Sequence, residues 1–231
     1  MADAPLIVAA NRDELRVRPS DPPMLLSREP PRWGGRDRVA GGTWLAVDPA
    51  GRVGAVTNRH PGGRLPQRDQ ARRSRGGLPL QVLTGDDTSA VTSMSELDAS
   101  DYNPVNVLYL SPTAALWAGL DDESGRHTRP LDPGVHVITE QDPDDPADPK
   151  AVRILRQAQA ALAGAANATD LVERWREVLR SHESPGDGSP ACIHAEQHGT
   201  VSSATVLVTP HGVRYEHADG PPCITPYVRV L

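Results

Sequence analysis

The feature that most constrains the fold is a recurring pattern: an apolar run, a tight turn built from Pro and Gly, and a second apolar run. Residues 43–58, TWLAVDPAGRVGAVTN, read as a hairpin with arms 43–47 and 52–57 around Asp48-Pro49-Ala50-Gly51. Pro and Gly sit there where a tight turn wants them. Residues 105–120 repeat the pattern and turn at Ser111-Pro112, and residues 199–218 do so at Pro210-His211-Gly212. PLIVAA, residues 5–10, reads as a buried strand, and residues 134–139 as a single short strand. Helical spacing appears at 149–163, through Val152, Leu155, Ala158 and Leu162. It appears again at 170–182, through Leu171, Val172, Trp175, Val178 and Leu179, with Thr169 or Asp170 as the cap. A third helix is expected over 77–83. Hairpins followed by helices, without regular strand–helix alternation, predict an α+β fold with helices packed on antiparallel sheets.

The 231 residues suit a single domain spanning 1–231 with one sizeable core. Phe is absent and aromatics make up 3%, so Val, Leu, Ile and Ala must build that core. A net charge of -6 argues against a nucleic-acid binder, which needs clustered positive charge. Lys150 is the sole Lys; every other cation is Arg. Cys192 and Cys223 make no disulfide framework and no C-x-x-C zinc pair. The N-terminus lacks the basic and apolar regions of a signal peptide. No apolar run approaches the roughly 20 residues of a membrane helix. The expected location is the cytoplasm, with no membrane partner and no cofactor.

After the apolar run comes Asn11-Arg12-Asp13-Glu14. By propensity alone this is a solvated turn. The functional reading is a strand end that projects Arg12, with a carboxylate beside it, into a cleft. There the planar guanidinium suits a carboxylate or amide oxygen.

Further segments follow in order: AGGTWL at 40–45, VTNR at 56–59, RRSRGGLPL at 72–80, VITEQDPDDP at 137–146 and GTVSS at 199–203, before a closing DGPPCITPYVRV. With the tetrad, and at this spacing, the chain resembles the NRDE family, also called the Transport and Golgi organisation family, from Leu6 almost to the C-terminus. The resemblance implies a fold like that of N-terminal-nucleophile hydrolases, an αββα four-layer sandwich of two stacked antiparallel sheets between helices. It implies that Arg12 and Asp13 orient a nucleophile and that Asn58 donates to an oxyanion. The bland alternative for Asn58 is a strand-end turn residue. The same motifs nominate Asn11, Glu14, Thr43, Trp44, Thr139 and Thr200 as binding residues.

Family members typically begin Met-Cys, followed by a strand that leads into the one ending at NRDE. This chain begins Met1-Ala2-Asp3. Three explanations stand side by side: a start further upstream, a non-catalytic binder on the same fold, or a different nucleophile. Cleavage at Gly42-Thr43 would detach the tetrad, and cleavage at Gly199-Thr200 would remove most of the chain. Cys192 reads as a small core residue, and Cys223 has no evident base. The expectation is therefore a longer natural protein whose first strand pairs with residues 6–10. The leading activity is hydrolysis of a non-peptide amide bond in a small molecule. The alternative is a binding or trafficking protein for haem or another hydrophobic ligand.

His194 and His198 lie four apart, but Gly199-Thr200 makes a helix there unsuitable, so no metal site is expected. Arg64, Arg68, Arg72, Arg73 and Arg75 form a basic stretch that reads as a solvated loop or an anion contact. EQDPDDPADPK, residues 140–150, reads as a loop rimming the cleft, its last Asp-Pro leading into a helix.

Overall fold

The computed structural model describes residues 3–65, 67–184 and 188–231. The chain opens on β1 (Leu6–Leu15), which is longer than the sequence suggests. It does not stop at Ala10 but runs through the whole NRDE tetrad, so the turn reading is overturned. The cause is its antiparallel partner β9 (His198–Thr209), long enough to offer a ladder from Leu6↔Val208 to Leu15↔His198. The register shifts once, between Arg12 and Asp13, where Arg12 faces Ser202 and Asp13 faces Thr200. Val201 is the surplus residue of that β-bulge, a device that re-aims side chains. With β10 (Gly212–Ala218) and β11 (Val228–Arg229) these strands make a four-stranded sheet in the order β1-β9-β10-β11.

The other sheet is a seven-stranded antiparallel meander in chain order. It comprises β2 (Ser20–Arg28), β3 (Pro31–Asp37), β4 (Leu45–Val47), β5 (Val53–Asn58), β6 (Val105–Leu110), β7 (Ala115–Asp121) and β8 (Gly125–Pro130). The three expected hairpins are the pairs β4–β5, β6–β7 and β9–β10. Asp48 closes the first by accepting the N–H groups of Ala50 and Arg52, and Gly51 takes the positive φ of 82°. β2 escapes propensity because it contains Pro22-Pro23. It is tolerated at the sheet edge, where the register slips between Asp21 and Met24. Residues 134–139 do not form the expected strand. Val137 spends both backbone groups on Asp144, its N–H on the carboxylate and its C=O on the N–H, instead of on a ladder.

Four α-helices, with three short 3₁₀ turns, complete the described fold: α1 (Leu78–Gln81), α2 (Asp87–Ser95), α3 (Pro149–Gly164) and α4 (Ala168–Arg180). Asp148 caps α3 ahead of Pro149, as the Asp-Pro step implies. The cap of α4 is Asn167, not Thr169 or Asp170: its side chain accepts from the Asp170 N–H. α2 has no apolar stripe to announce it, and Asp86 starts it by accepting from Ser89.

Each sheet is apolar on both faces. Leu45, Val47 and Val53 of the meander pack against Val206, Val208 and Tyr215 of the smaller sheet, with Leu6, Val8 and Ala10 joining them. The opposite face of the meander, including Val105, Val107, Tyr109 and Leu120, packs on Leu78, Val82, Ala90 and Met94. α4 covers the opposite face of the small sheet through Ala168, Val172 and Leu207, with Ile7 beside them. β1 thus alternates by the strand period of two: even residues 6 to 10 turn to the other sheet, and Ile7 turns to α4.

Candidate functional site

Among the described residues β1 pairs along one side only. A cleft of about 1760 Å³ runs along the strand, lined by Pro5 through Leu15. Ala55, Leu108, Leu110 and Leu131 of the meander side contribute apolar surface, and Ile154, Trp175 and Leu179 of the helices contribute more. The acidic segment lines it through Glu140, Asp145 and Asp148, as expected of a rim loop.

The tetrad side chains fan out around this cleft. Asn11 turns toward α4 and donates to the carbonyls of Leu179 and Ala191, at 2.9 and 2.7 Å. Its buried Oδ1 has no protein partner among the described residues. Arg12 turns toward the meander, its guanidinium 4.2 Å from the Trp44 ring centroid. It donates to the Ser20 hydroxyl at 3.2 Å, and Glu14 stands 4.0 Å away. Burial pulls the Arg12 pKa below the usual guanidinium value, against the opposing fields of Glu14 and Asp37. Asp13 accepts from the Thr200 hydroxyl at 2.6 Å and faces the Lys150 ammonium at 3.5 Å. Glu14 also faces Arg18, 3.6 Å away, which is clamped to Asp37 at 2.6 Å.

Two glycine motifs set Trp44 in place. Gly41 and Gly42 both take positive φ, and Thr43 N–H donates to the Gly76 carbonyl at 2.8 Å. A Cβ on Gly42 would lie 2.3 Å from that carbonyl oxygen. AGGTWL and RRSRGG therefore meet backbone to backbone, an approach only glycine allows. Thr43 is buried and donates its hydroxyl to the Leu45 carbonyl.

Asn58 ends β5, exposed at the cleft, and its side-chain amide has no protein partner among the described residues. It lines the same cleft as Arg12 and Asp13 without a hydrogen bond to either. Beside it Arg59 is locked to Asp121 at 2.9 Å, Asp142 at 2.6 Å and Asn106 at 3.2 Å. That network fixes the strand end from which Asn58 projects. Thr139 donates to Asp148 at 2.6 Å, and its carbonyl accepts from Thr57. Thr200 is fully buried and touches the cleft wall through Asp13 and Ile193.

Sequence reasoning missed Ser20, Arg18, Asp37 and Lys150. The one available signal was that Lys150 is the sole Lys, placed where α3 begins. The basic stretch is less free than a solvated loop: Arg72 pairs with Asp122 at 2.7 Å, Arg73 with Asp101 at 3.0 Å, and Arg75 donates to the Pro104 carbonyl. Cys192 is buried as expected, and burial with the neighbouring Cys223 pushes its thiol up to about 11. Cys223, expected to lack any base, has His194 Nε2 at 3.2 Å.

Residues 2–217 match the family model described as Transport and Golgi organisation 2. The chain belongs to this family. It is similar to the Transport and Golgi organization 2 homolog of Mus musculus, 34% identical over 114 residues, or 45% of this chain and 37% of that one. The Homo sapiens homolog is 32% identical over 114 residues, with the same coverage. The match thus spans little more than a third of the relatives' own length, 37%. No described helix of this Transport and Golgi organisation 2 family member is long and apolar enough to cross a membrane.

Proposed function

We propose that the cleft beside β1 binds a small molecule with an apolar body and a carboxylate or amide oxygen, which the Arg12 guanidinium meets. The observation that carries this is Arg12 itself. It lines the cleft, stacked on Trp44, with Ser20 the one side-chain acceptor in hydrogen-bond reach among the described residues and Glu14 4.0 Å away. A planar cation held rigidly in that setting is suited to an oxygen pair. Haem, apolar with two carboxylates, belongs to the class of ligand described.

The second reading is hydrolysis of a non-peptide amide bond on an αββα frame like that of N-terminal-nucleophile hydrolases. The layer order of helices, meander, small sheet and helices supports it. So does the presence of Arg12, Asp13 and Asn58 along one cleft. In that chemistry Arg12 and Asp13 orient the nucleophile and Asn58 donates to the oxyanion. Thr43 and Thr200 are buried and donate their hydroxyls to protein acceptors, so neither is exposed to attack a substrate. We place binding ahead of turnover because the Arg12 contact can hold an oxygen without any nucleophile.

N-acyl amino acids, which join an apolar chain, an amide and a carboxylate, serve as probes. The expected result by titration calorimetry is saturable binding, weakened at least about tenfold by Arg12→Ala, as the loss of a charge-assisted contact implies. Release of free amine would move the reading to hydrolysis. No saturable binding, or binding indifferent to both Arg12→Ala and Asn58→Ala, would overturn the site.

A further inference from the structure

Away from the cleft, four side chains with metal-ligating atoms converge on one point. His182, Cys192, His194 and Cys223 place one nitrogen or sulfur each within 4.8 Å of all the others. Cys192 Sγ lies 3.6 Å from Cys223 Sγ and 3.5 Å from His194 Nε2, and His194 Nε2 lies 3.2 Å from Cys223 Sγ. The His182 and His194 rings meet edge to face, centroids 5.0 Å apart. In a tetrahedral zinc site with Zn–S of about 2.3 Å and Zn–N of about 2.0 Å, neighbouring ligand atoms stand roughly 3.3–3.8 Å apart. Two of these three separations fall inside that range, and the third, His194 Nε2 to Cys223 Sγ at 3.2 Å, lies just below it.

From this geometry we infer that His182, Cys192, His194 and Cys223 form a structural Cys₂His₂ site for a divalent zinc-class cation. Two thiols and two imidazoles are a donor set that selects zinc over the oxygen-seeking magnesium and calcium. On binding, each thiol gives its proton to solvent and each imidazole offers a lone pair, so the filled site is neutral. With four protein ligands no coordination position is left for a substrate, which marks the site as structural.

The ligands come from three stretches, two of them close in the chain and the third beyond two strands. His182 follows the end of α4, Cys192 and His194 lie on the approach to β9, and Cys223 sits in the turn between β10 and β11. These stretches already touch: Cys192 N–H donates to the Ser181 carbonyl at 3.0 Å, and Arg180 donates to the Pro222 carbonyl at 3.1 Å. The linear spacing hides the site, because Cys192 and Cys223 are separated by two strands and are not a C-x-x-C pair. The loop so tied also carries the Ala191 carbonyl that holds Asn11 and the Ile193 backbone that pairs with Thr200. The cation therefore staples the loop behind the tetrad, whatever the cleft binds.

The test is metal analysis of the full chain, purified under reducing conditions from zinc-supplemented cells. About one zinc per chain is expected by elemental mass spectrometry. Cobalt exchange should give the intense visible bands of a tetrahedral thiolate site. Cys223→Ser, on an outer turn, and Cys192→Ser should each lose most of the zinc. His198→Gln, which is outside the cluster, should keep it. A metal-free protein with both thiols titratable would overturn the proposal. So would a metal-free protein whose mass shows a Cys192–Cys223 disulfide, or zinc content unchanged by both Cys variants.

Discussion

The fully buried Thr200 hydroxyl donates to Asp13 Oδ1 at 2.6 Å, so the carboxylate of the tetrad is held by the neighbouring strand β9. The same hydroxyl oxygen accepts the Ile193 N–H at 2.9 Å. One side chain thus ties the carboxylate at the bulge to the loop behind it. Thr200→Val keeps the shape and removes both bonds, leaving the Ile193 N–H and one Asp13 oxygen unpartnered. The expected cost is about 1–3 kcal/mol, measured by urea unfolding, with Thr200→Ser close to the parent. A Thr200→Val protein as stable as the parent would show that water replaces the hydroxyl freely.

Gly42→Ala should act at a distance on Trp44. Its φ of +78° is strained for any side chain, and the new Cβ would meet the Gly76 carbonyl oxygen at 2.3 Å. Neither partner is a flexible side chain, so the two loops must separate. A loss of about 2–4 kcal/mol is expected from overpacking and backbone strain together. Trp44 should shift with the loop, so probe affinity at Arg12 should fall as well. Gly41→Ala is the control for φ alone, since no atom lies within 4 Å of a Cβ built there.

The pH response should include a contribution from His136. Its Nδ1 lies 2.6 Å from Asp144 Oδ2 and its Nε2 lies 2.7 Å from the Asp132 carbonyl, so only the imidazolium satisfies both acceptors. Burial lowers its pKa, but the Asp132 carbonyl and the Asp144 carboxylate outweigh burial and Arg129, and the net shift is upward from 6.5. A base whose pKa is raised on folding contributes stability that is fully present below 6.5 and lost as pH rises through the folded value. The site is partly wet, so the loss is under about 1 kcal/mol. Hydrogen exchange at Val137, whose N–H is held by Asp144, should speed up beyond its intrinsic pH dependence over that window. His136→Gln should abolish the extra acceleration; an unchanged profile would sink the assignment.

What the sequence made legible was whatever is decided locally. The turn at Asp48 to Gly51 is written in side chains that bond their own backbone, so the β4–β5 hairpin could be read directly. The helix at Pro149 was readable because Asp148-Pro149 is both cap and first turn. Propensity alone makes the NRDE tetrad a turn, because its extended backbone depends on pairing with the distant β9, from Asn11↔Ser203 to Glu14↔Gly199. Resemblance, not propensity, nominated Arg12 and Trp44 together. Their contact rests on Gly42 meeting Gly76, which no local pattern announces. The Cys–His cluster was hidden for the same reason: Cys223 joins His182, Cys192 and His194 only after β9 and β10 have folded back.

Arg176 offers a test of how α4 is fastened over the small sheet. Its Nη2 donates to the Thr205 hydroxyl and to Glu216, both at 2.8 Å, its Nη1 reaches Glu173, and its guanidinium stacks 4.1 Å from the Tyr227 ring. The side chain is only 7% exposed, so its charge is supported by these partners and not by water. Arg176→Met should destabilise by about 3 kcal/mol, because Glu216 is left in a mostly dry place with Arg214 as its remaining partner at 3.1 Å. Replacing both ends, Arg176→Met with Glu216→Leu, removes the stranded carboxylate and should recover much of that loss. Thermal unfolding of the two single variants and the double completes the cycle. A double variant no more stable than Arg176→Met would mean that the cost lies in packing on Tyr227 and not in the stranded charge.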